Sequence, residues 1–594
     1  MKSNRWRLLA AAVVLTLLMP AFAACGPTPE PETVIQTVEV EKIVVETVEV
    51  EVEKEVVVTK EVEVEKEVVV TQEVEKVVVV TATPEPRPEG PVEMRVGTTF
   101  MLDTTNINVS WTSWGIWRLI YDSIVETAEM GVYRPGIAKE WSVADDGLTW
   151  TFKIWEGMTF HDGTPLTANE VAWSLNWMIN VGNDSLSYLW WNLTDVTALD
   201  ETTLQITTGT PVGNMEYLLF WAFIVPESAW GQFDNYDDMS AFSGIEAMVG
   251  SGPFKVTDFV QDEYLILEAN ENYWQGKPSV DKLIFQQYAT EDAIVQALLA
   301  GEVDVVELVP GTAVPTLLSE DYIKVEVMQG HALDTLAINS HEDGTQPESL
   351  NDPIVRRAIE YAIDRQKLID VAYLGYADPG KTMIAPSLVD WHNTNIDYIS
   401  FDLEEANRIL EEAGYVDSNG DGVREWSDGS PLEYRLMATE GATYARMLEI
   451  ISDGLALAGI SAPPTLLDFD SQAALAYDFD FDMNMWYWGM DIDPDFGTVI
   501  FKCSEREGWG WNPNGYCDEH FEELYVAQAT ETDFEKRQEV VLEAQAQIYN
   551  DRPWIVLVYP KNISAYRCDR FTAFRPEAKY LLGKWSLLQV EPIY

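Results

Sequence analysis

The residues from Glu32 to Thr83 are almost entirely Val, Glu, Lys and Thr, and none of them is aromatic. The string Val-Glu-Lys-Glu-Val-Val-Val-Thr begins at Val52 and again at Val64, twelve residues later. This composition lacks the variety of side-chain shapes that a close-packed core needs. The apolar spacing suits a strand in some stretches and a helix or coiled coil in others. We therefore interpret the segment as a stalk rather than a domain, either a simple spacer or an oligomerising element.

The chain begins with the features of an export signal. Basic residues among the first seven positions precede the apolar run Leu8–Met19, which is shorter than the ~20 residues of a membrane-spanning helix. The segment Ala21–Gly26 then resembles a bacterial lipobox around Cys25. We predict a signal peptide over residues 1–24 and a lipid on Cys25 that anchors the protein to the cell membrane, in the periplasm or at the cell surface. The alternative is ordinary secretory cleavage that leaves a free Cys25.

A proline-rich stretch separates the stalk from the rest of the chain. The run from Thr83 to Pro91 contains four prolines, and closely spaced prolines favour extended backbone. Residues 25–91 are therefore expected to be stalk and linker, and the globular body starts near Val92.

The charge balance and the absent motifs exclude two classes of function. The chain has 99 acidic and 38 basic residues, a formal net charge of -61, which would repel the phosphates of a nucleic acid. None of the five histidines lies in an H-E-x-x-H motif, and neither a G-x-S-x-G elbow nor a P-loop is present. We expect no nucleic-acid partner and no catalytic residues.

Helix and strand patterns interleave throughout the body. The predicted helices are Ala168–Asn180, Thr290–Leu299, Ile354–Ala372, Leu403–Ala413, Tyr444–Ala458 and Phe534–Tyr549. The predicted strands are Thr149–Lys153, Thr203–Thr207, Tyr264–Glu268, Lys282–Tyr288, Val303–Leu308, Leu333–Asn339 and Trp554–Tyr559. A chain of 594 residues is too long for a single core, so the pattern predicts an α/β architecture with at least two lobes.

Several segments of the body, in order, match one known family. They are Tyr121–Glu126, Pro135–Trp141, Asp145–Lys153, Glu156–Ala168, Gly250–Phe254, Asn270–Trp274, Leu298–Asp304 and Val355–Ile359. From Val92 to Tyr594 the chain resembles the family 5 extracellular solute-binding proteins, the oligopeptide and dipeptide binders of bacterial ABC importers. The resemblance implies a ligand that is a short peptide and a partner that is the membrane permease of an importer.

The resemblance also implies a fold and its division. The expected fold is a two-lobed periplasmic-binding-protein-like α/β fold of the class C type, with an extra subdomain in the first lobe. The expected segments are 92–132, 251–329 and 563–594 for the first lobe, 133–250 for the extra subdomain, and 330–562 for the second lobe. Such lobes close around a ligand by a hinge motion. The run Gly250-Ser251-Gly252-Pro253 suits a close crossing of two chain segments, as at a hinge.

The segment Trp486–Pro494 is the candidate ligand site. In peptide-binding relatives a Trp-x-x-Asp segment lies along the cleft, where its backbone pairs with the peptide and its Asp binds the α-ammonium. That match implies ligand roles for Trp488 and Asp491, with Tyr487 and Gly489 beside them. Relatives often have one more residue before the acidic residue that precedes the proline, so Asp493 is a rival for the ammonium. The alternative is that these aspartates only form a capped turn.

A cluster of tryptophans precedes Tyr121, in the region that faces the cleft in the family. Trp111, Trp114 and Trp117 are spaced by three, which suits one face of a helix, so core packing is the alternative to ligand binding. Tryptophan faces also stack on sugars. The 22 tryptophans of the chain therefore keep an oligosaccharide as the alternative ligand.

Two features concern metal and redox chemistry. Asp417, Asn419 and Asp421 have the alternating oxygen ligands of a calcium loop, although Asp428 stands where such loops usually have Glu. The alternative is a metal-free turn, and we expect no other cofactor. Cys503 and Cys517 enclose a short loop and are predicted to form a disulfide in an oxidising compartment, with free thiols as the alternative.

Overall fold

The structure is a computed structural model that describes residues 90–110, 112–129, 131–182, 192–508, 510–576 and 581–593. The predicted signal peptide, the predicted lipid site Cys25, the stalk and Trp111 lie outside the described residues.

The strands of the described chain form two large sheets and three smaller ones. Their bounds are Glu93–Thr98, Val125–Glu129, Val132–Pro135, Ala138–Val143, Thr149–Ile154, Leu193–Asp200, Thr203–Thr208, Phe254–Val260, Tyr264–Ala269, Lys282–Gln287, Val305–Val306, Ile323–Met328, Ala332–Ile338, Ala377–Pro379, Leu436–Thr439, Pro464–Leu467, Met483–Gly489, Trp554–Pro560, Asn562–Arg567, Phe571–Thr572 and Glu591–Pro592.

Helices alternate with these strands along the chain. The α-helices are Trp114–Ile120, Ala168–Val181, Met215–Phe220, Glu227–Trp230, Tyr236–Ser240, Glu291–Ala300, Val314–Leu317, Pro353–Tyr361, Arg365–Lys367, Leu403–Glu412, Ala442–Leu457, Phe469–Tyr477, Pro494–Val499, Glu519–Thr530, Phe534–Asp551 and Lys584–Gln589. A π-helical turn spans Leu368–Ala372, and 3₁₀ turns span Ile107–Val109, Ile245–Met248, Gly311–Ala313, Glu348–Asn351 and Cys503–Arg506.

The first lobe is built on a mixed seven-stranded sheet. In spatial order its strands are 323–328, 562–567, 305–306, 93–98, 282–287, 264–269 and 254–260. The strand Glu93–Thr98 runs parallel to Lys282–Gln287 on one side and to Val305–Val306 on the other. The helix Glu291–Ala300 buries Ile294 and Leu298 in the core beside this sheet.

The extra subdomain contains a four-stranded antiparallel sheet in the spatial order 138–143, 149–154, 203–208 and 193–200. The strand Thr149–Ile154 buries Trp150, Phe152 and Ile154 and leaves the residues between them partly exposed. This alternation is the pattern that predicted the strand. The helix Ala168–Val181 buries Val171, among other residues, in the same core.

The second lobe is built on a six-stranded sheet in the spatial order 377–379, 554–560, 332–338, 483–489, 436–439 and 464–467. Every residue of the strand Ala332–Ile338 is buried because helices cover both faces of the sheet. Leu336 and Met485 face one helical layer, and Trp488 and Trp554 face the other.

The chain passes between the two large sheets twice, and the two crossings lie side by side. Met328 pairs with Asn562 at the edge of the first sheet. Beyond this pair, Gly330 lies so close to the other crossing that a Cβ added to it would be 1.8 Å from the carbonyl oxygen of Pro560. Only glycine fits at this crossing.

A second close crossing confirms the prediction made from the Gly-Ser-Gly-Pro run. A Cβ on Gly250 would lie 2.1 Å from the carbonyl oxygen of Ile120, and one on Gly252 would lie 2.6 Å from that of Leu119. His161 holds the run in place, because its backbone NH donates to the carbonyl of Gly250 at 2.8 Å.

Two predicted elements were wrong in extent. The helix predicted over Ile354–Ala372 ends at Tyr361, and a new turn starts where the carboxylate of Asp364 accepts the NH of Lys367 at 3.0 Å. The strand predicted over Val303–Leu308 pairs only at Val305–Val306. The predicted boundaries of the lobes and of the extra subdomain stay a prediction.

The crossing at Gly330 yields a first prediction. Replacing Gly330 with Ala should destabilise the protein by about 1–3 kcal/mol, since the new methyl group forces two backbone segments apart. Glycine 489 has open space around its Cβ position and an ordinary φ, so Gly489→Ala is the matched control. Thermal unfolding should show a lower Tm for Gly330→Ala alone. Equal Tm values for the two variants would contradict the steric argument.

Candidate functional site

The strand Met483–Gly489 has an open edge. Along one edge it pairs over its full length with Ala332–Ile338. Along the other edge, Leu436–Thr439 pairs with it only at Met483 and Asn484. Among the described strands, none continues this pairing from Met485 to Gly489. An extended ligand can therefore add to the sheet here.

The direction of the backbone groups on this strand follows from one hydrogen bond. The side-chain amide of Gln472 donates to the carbonyl of Met485 at 2.8 Å on the side away from Ala332–Ile338. Alternate residues of a strand direct their backbone groups to the same edge. Tyr487 and Gly489 therefore direct their NH and carbonyl groups to the open edge.

A cavity of about 380 Å³ lies between the lobes, beside the crossings. Three large apolar side chains that are well exposed converge on it: Phe100 at 69% exposure, Leu308 at 54% and Tyr487 at 49%. Its other lining residues are Val96, Gly97, Thr98, Thr99, Thr112, Ser113, Trp114, Gly115, Ile116, Phe285, Ile294, Glu307, His331 and Asn562. None of these lining residues is Lys or Arg.

Five of the six ligand residues proposed from the sequence lie in the described part of the chain, and of these five Tyr487 alone lines this cavity. The side chain of Trp488 lies on the opposite face of its strand, is buried, and stacks on Trp554 with ring centroids 5.2 Å apart. Adjacent residues of a strand point to opposite faces of the sheet, so Tyr487 and Trp488 cannot both face the cleft. Trp488 therefore contributes its ring to the core rather than to the cavity wall.

Of the tryptophans that precede Tyr121, one described side chain lines the cavity and another packs in the core. Trp114 lines the cavity and lies 5.1 Å from Trp221, measured between ring centroids. Trp117 is fully buried, and its indole NH donates to the hydroxyl of Ser110 at 2.9 Å. Trp117 therefore packs in the core, whereas Trp114 lies in the wall of the cavity.

Asp491 lies just beyond the open edge, where the second lobe meets the extra subdomain. Its Oδ2 accepts the hydroxyl of Tyr217 at 2.9 Å, and its Oδ1 accepts the NH of Ile492 at 2.8 Å. The residue is partly exposed. It does not line the cavity described above.

Asp493 is buried and its hydrogen-bonding capacity is filled. Arg537 donates to both of its oxygens, at 2.9 and 2.5 Å. Tyr133 donates to Oδ2 at 3.2 Å, and the NH of Asp495 donates to Oδ1 at 2.9 Å. These four bonds occupy the roughly four acceptor positions of a carboxylate.

One further contact joins the extra subdomain to the second lobe. The NH of Gly213 donates to the carbonyl of Ala529 at 2.8 Å, and a Cβ on Gly213 would lie 2.3 Å from the carbonyl oxygen of Glu531. Together with the tyrosine bonds to Asp491 and Asp493, this contact joins the extra subdomain to the second lobe.

The sequence analysis missed Asp334, which lies in the buried strand Ala332–Ile338. Its side chain is fully buried, and its Oδ2 accepts the hydroxyl of Tyr373. Burial raises the pKa of this carboxyl to about 7, against the opposing effect of the Tyr373 hydrogen bond. The signal that could have revealed it is a single acidic residue in a strand whose other residues, apart from Thr335, are apolar.

In the predicted calcium loop, the side-chain oxygens accept hydrogen bonds from backbone NH groups of the same loop. Asp417 accepts the backbone NH groups of Gly420 at 2.6 Å and Gly422 at 2.9 Å, and these bonds lower its pKa. Asn419 and Asp421 likewise accept NH groups within the loop. In the described part of the chain, no group of three or more His, Cys, Asp or Glu is arranged to hold a metal ion. Calcium binding at this loop stays a prediction.

The cysteines of the body are placed as follows. Cys503 and Cys517 form a disulfide with their Cα atoms 4.7 Å apart. Cys568 is a free, partly exposed thiol.

Across the described ranges, no helix combines the length and the apolar character that crossing a membrane requires.

A family model described as "Bacterial extracellular solute-binding proteins, family 5 Middle" matches residues 132–508, more than half of the chain. The chain belongs to this family. Members of the family are transport binding proteins of ABC importers, not enzymes, and act outside the cytoplasm. The solute-binding protein therefore has the fold expected from its motifs, a mixed α/β fold with two lobes.

Individual relatives of this solute-binding protein bind different solutes. It is 26% identical to the dipeptide-binding protein of Escherichia coli K12, over 76% of this chain and 83% of that protein. It is 28% identical to the nickel-binding periplasmic protein of the same strain, over 54% of this chain and 60% of that protein. The solved ABC transporter substrate binding protein CtaP of Listeria monocytogenes superimposes with a TM-score of 0.74 at 20% identity, over 84% of this chain and 99% of that one.

The raised pKa of Asp334 predicts a pH-dependent stability. Between the ordinary pKa of about 4 and the folded pKa of about 7, the folded state holds a proton that the unfolded state has lost, so stability falls as pH rises. Asn resembles the neutral carboxyl. Asp334→Asn should therefore gain about 2 kcal/mol relative to the wild type between pH 5 and pH 8.

Thermal unfolding at both pH values measures this gain. The control is Asp453→Asn, a change at an exposed position of the helix Ala442–Leu457, which should shift Tm equally at the two pH values. A pH-independent effect of Asp334→Asn would show that this carboxyl titrates normally.

Proposed function

We propose that this solute-binding protein captures short peptides with a free N-terminal amine between its two lobes and delivers them to the membrane permease of an ABC importer. The observation that carries the proposal is the open strand edge from Met485 to Gly489, which leads directly to the carboxylate of Asp491. Backbone hydrogen bonds to such an edge do not depend on the ligand's side chains, so one site holds many peptides.

Accessibility supports Asp491 over the buried Asp493 as the partner of the ammonium group. Asp493 already accepts four bonds, two of them from the buried Arg537, and a ligand would have to displace one. Asp491 is partly exposed just beyond the open strand edge, where the amine of an added peptide strand can reach its carboxylate. An ammonium donates charge-assisted bonds that an acetylated amine cannot replace.

The size and lining of the cavity support a short ligand that makes apolar contacts with the protein. A volume of about 380 Å³ is near the lower end of the range of about 300–1,000 Å³ that is usual for small-molecule sites. Phe100, Leu308 and Tyr487 offer apolar contact surface from both lobes. The resemblance to a dipeptide-binding protein agrees with this size.

Two other ligands are less well supported. An oligosaccharide needs aromatic platforms, but Trp117 and Trp488 are packed in cores, which leaves Trp114 among the described tryptophans of the candidate set. Nickel is the solute of one relative, but the alignment covers only 60% of that protein. His331 is the one histidine among the residues that line the cavity.

We further propose that a lipid on Cys25 anchors the protein and that residues 25–91 hold the body away from the membrane. The lipobox-like run Ala21–Gly26 and the repetitive composition of the stalk support this arrangement.

A thermal-shift titration of the purified full-length protein tests the peptide proposal. Di- and tri-alanine at about 100 times their Kd should stabilise the protein by about 2.7 kcal/mol. N-acetylation of the peptide, or Asp491→Asn, should weaken binding by about 10- to 100-fold, since a charge-assisted hydrogen bond is lost. Asp453→Asn serves as the control and should bind like the wild type.

Two results would contradict this proposal. If acetylated and free peptides bind with equal affinity, Asp491 does not hold an ammonium group. If oligosaccharides or nickel raise the Tm and peptides do not, the peptide proposal is wrong, although the role in import remains.

A further inference from the structure

Asp334 is a carboxylate buried without a counterion. Its exposure is 0%, and its Oδ1 has no hydrogen-bond partner. Its Oδ2 is bonded to Tyr373, a neutral partner. Within the described ranges, no lysine or arginine forms an ion pair with it or opposes the rise of its pKa.

Burying an unpaired carboxylate is costly, and most buried charges in proteins are paired. Here the cost is visible in the pKa of about 7, which leaves the group partly neutral at physiological pH. Asp493, by contrast, is buried beside Arg537. The buried carboxylate of Asp493 therefore has an arginine as its counterion. The buried carboxylate of Asp334 has no such partner in the described ranges.

The position of Asp334 relates it to the cleft. Asp334 and Tyr487 are directly opposite each other in the antiparallel pair of strands, so their side chains lie on the same face of the sheet. Tyr487 is half-exposed and lines the cavity between the lobes. The unpaired carboxylate is therefore the cross-strand neighbour of a residue in the cavity wall.

Two more tyrosines complete the surroundings of Asp334. Tyr373 donates its hydroxyl to the carboxylate, and Tyr444 lies in the first turn of the neighbouring helix Ala442–Leu457. Burial raises the pKa of Tyr444, and the charge of Asp334 adds to the effect, so this phenol stays neutral. Both tyrosines are only partly buried. Neutral aromatic rings around a carboxylate attract a cation through the ring faces as well as through the charge.

We propose that Asp334, Tyr373, Tyr444 and Tyr487 form a subsite for a cationic side chain of the ligand, the alkylammonium of a lysine or the guanidinium of an arginine. The inference rests on the proposed function, because it assigns a side chain of the same peptide. The cation would occupy the free Oδ1 of Asp334 and would replace the missing counterion. The ligand class narrows to short peptides that carry a basic residue.

The lining of the cavity agrees with this charge preference. None of the lining residues is Lys or Arg, and Glu307 adds a carboxylate. A cationic side chain meets no repulsion there, whereas an acidic side chain has no basic partner among the lining residues.

Calorimetric titration with matched tripeptides tests the subsite. Ala-Lys-Ala and its uncharged analogue Ala-norleucine-Ala differ only in the terminal ammonium. The wild type should bind the lysine peptide about tenfold more tightly. Asp334→Asn should bind both peptides with the affinity of the norleucine peptide. Tyr434→Phe removes a buried tyrosine hydroxyl bonded to Ser349 in the same lobe, and should keep the tenfold preference.

Two results would overturn the subsite: equal affinities in the wild type, or a lysine preference that persists in Asp334→Asn. An unchanged affinity of Asp334→Asn for the norleucine peptide shows that the variant is folded. If no peptide binds, the proposed function fails, and n-butylammonium against n-butanol then tests the subsite alone. Binding of the amine by the wild type and not by Asp334→Asn supports the subsite, and binding by neither overturns it.

Discussion

The arrangement of the two lobes depends on the double crossing at Gly330. The chain passes between the large sheets twice, and both crossings lie within contact distance, with Pro560 directly against the glycine. His331 and Asn562, which follow the crossings, line the ligand cavity. The double crossing and the cavity wall therefore share neighbouring residues, and a hinge rotation of the lobes about this point would change the shape of the cavity.

Counting satisfied hydrogen-bond positions separates structural from functional carboxylates in this very acidic chain. Asp493 is saturated by Arg537, Tyr133 and a backbone NH, and it holds the extra subdomain against the second lobe. Asp334 is buried in the strand beside Tyr487, and no basic side chain in the described ranges pairs with it. In a protein with a net charge of -61, most acidic residues serve solubility, so the buried and incompletely satisfied ones carry the information about the ligand.

The sequence predicted elements well where local periodicity decides them, as in Thr149–Ile154 with its alternating burial. It did not show that Trp488 faces the core, because the phase of a strand depends on the layers packed against it. The sequence could not choose between Asp491 and Asp493 as the ligand of the ammonium group. The arginine that donates hydrogen bonds to Asp493 lies 44 residues further along the chain, and local sequence does not reveal that contact. Asp334 escaped notice because a buried strand does not reveal in its sequence which side chains lie near a cleft.

A crystal structure of the protein with bound Ala-Lys-Ala tests the central claim most directly. The account predicts a peptide backbone paired with Tyr487 and Gly489, its α-ammonium at Asp491, and its lysine side chain among the tyrosines at Asp334. A peptide bound elsewhere, or bound between the lobes without pairing to the edge from Met485 to Gly489, would contradict it.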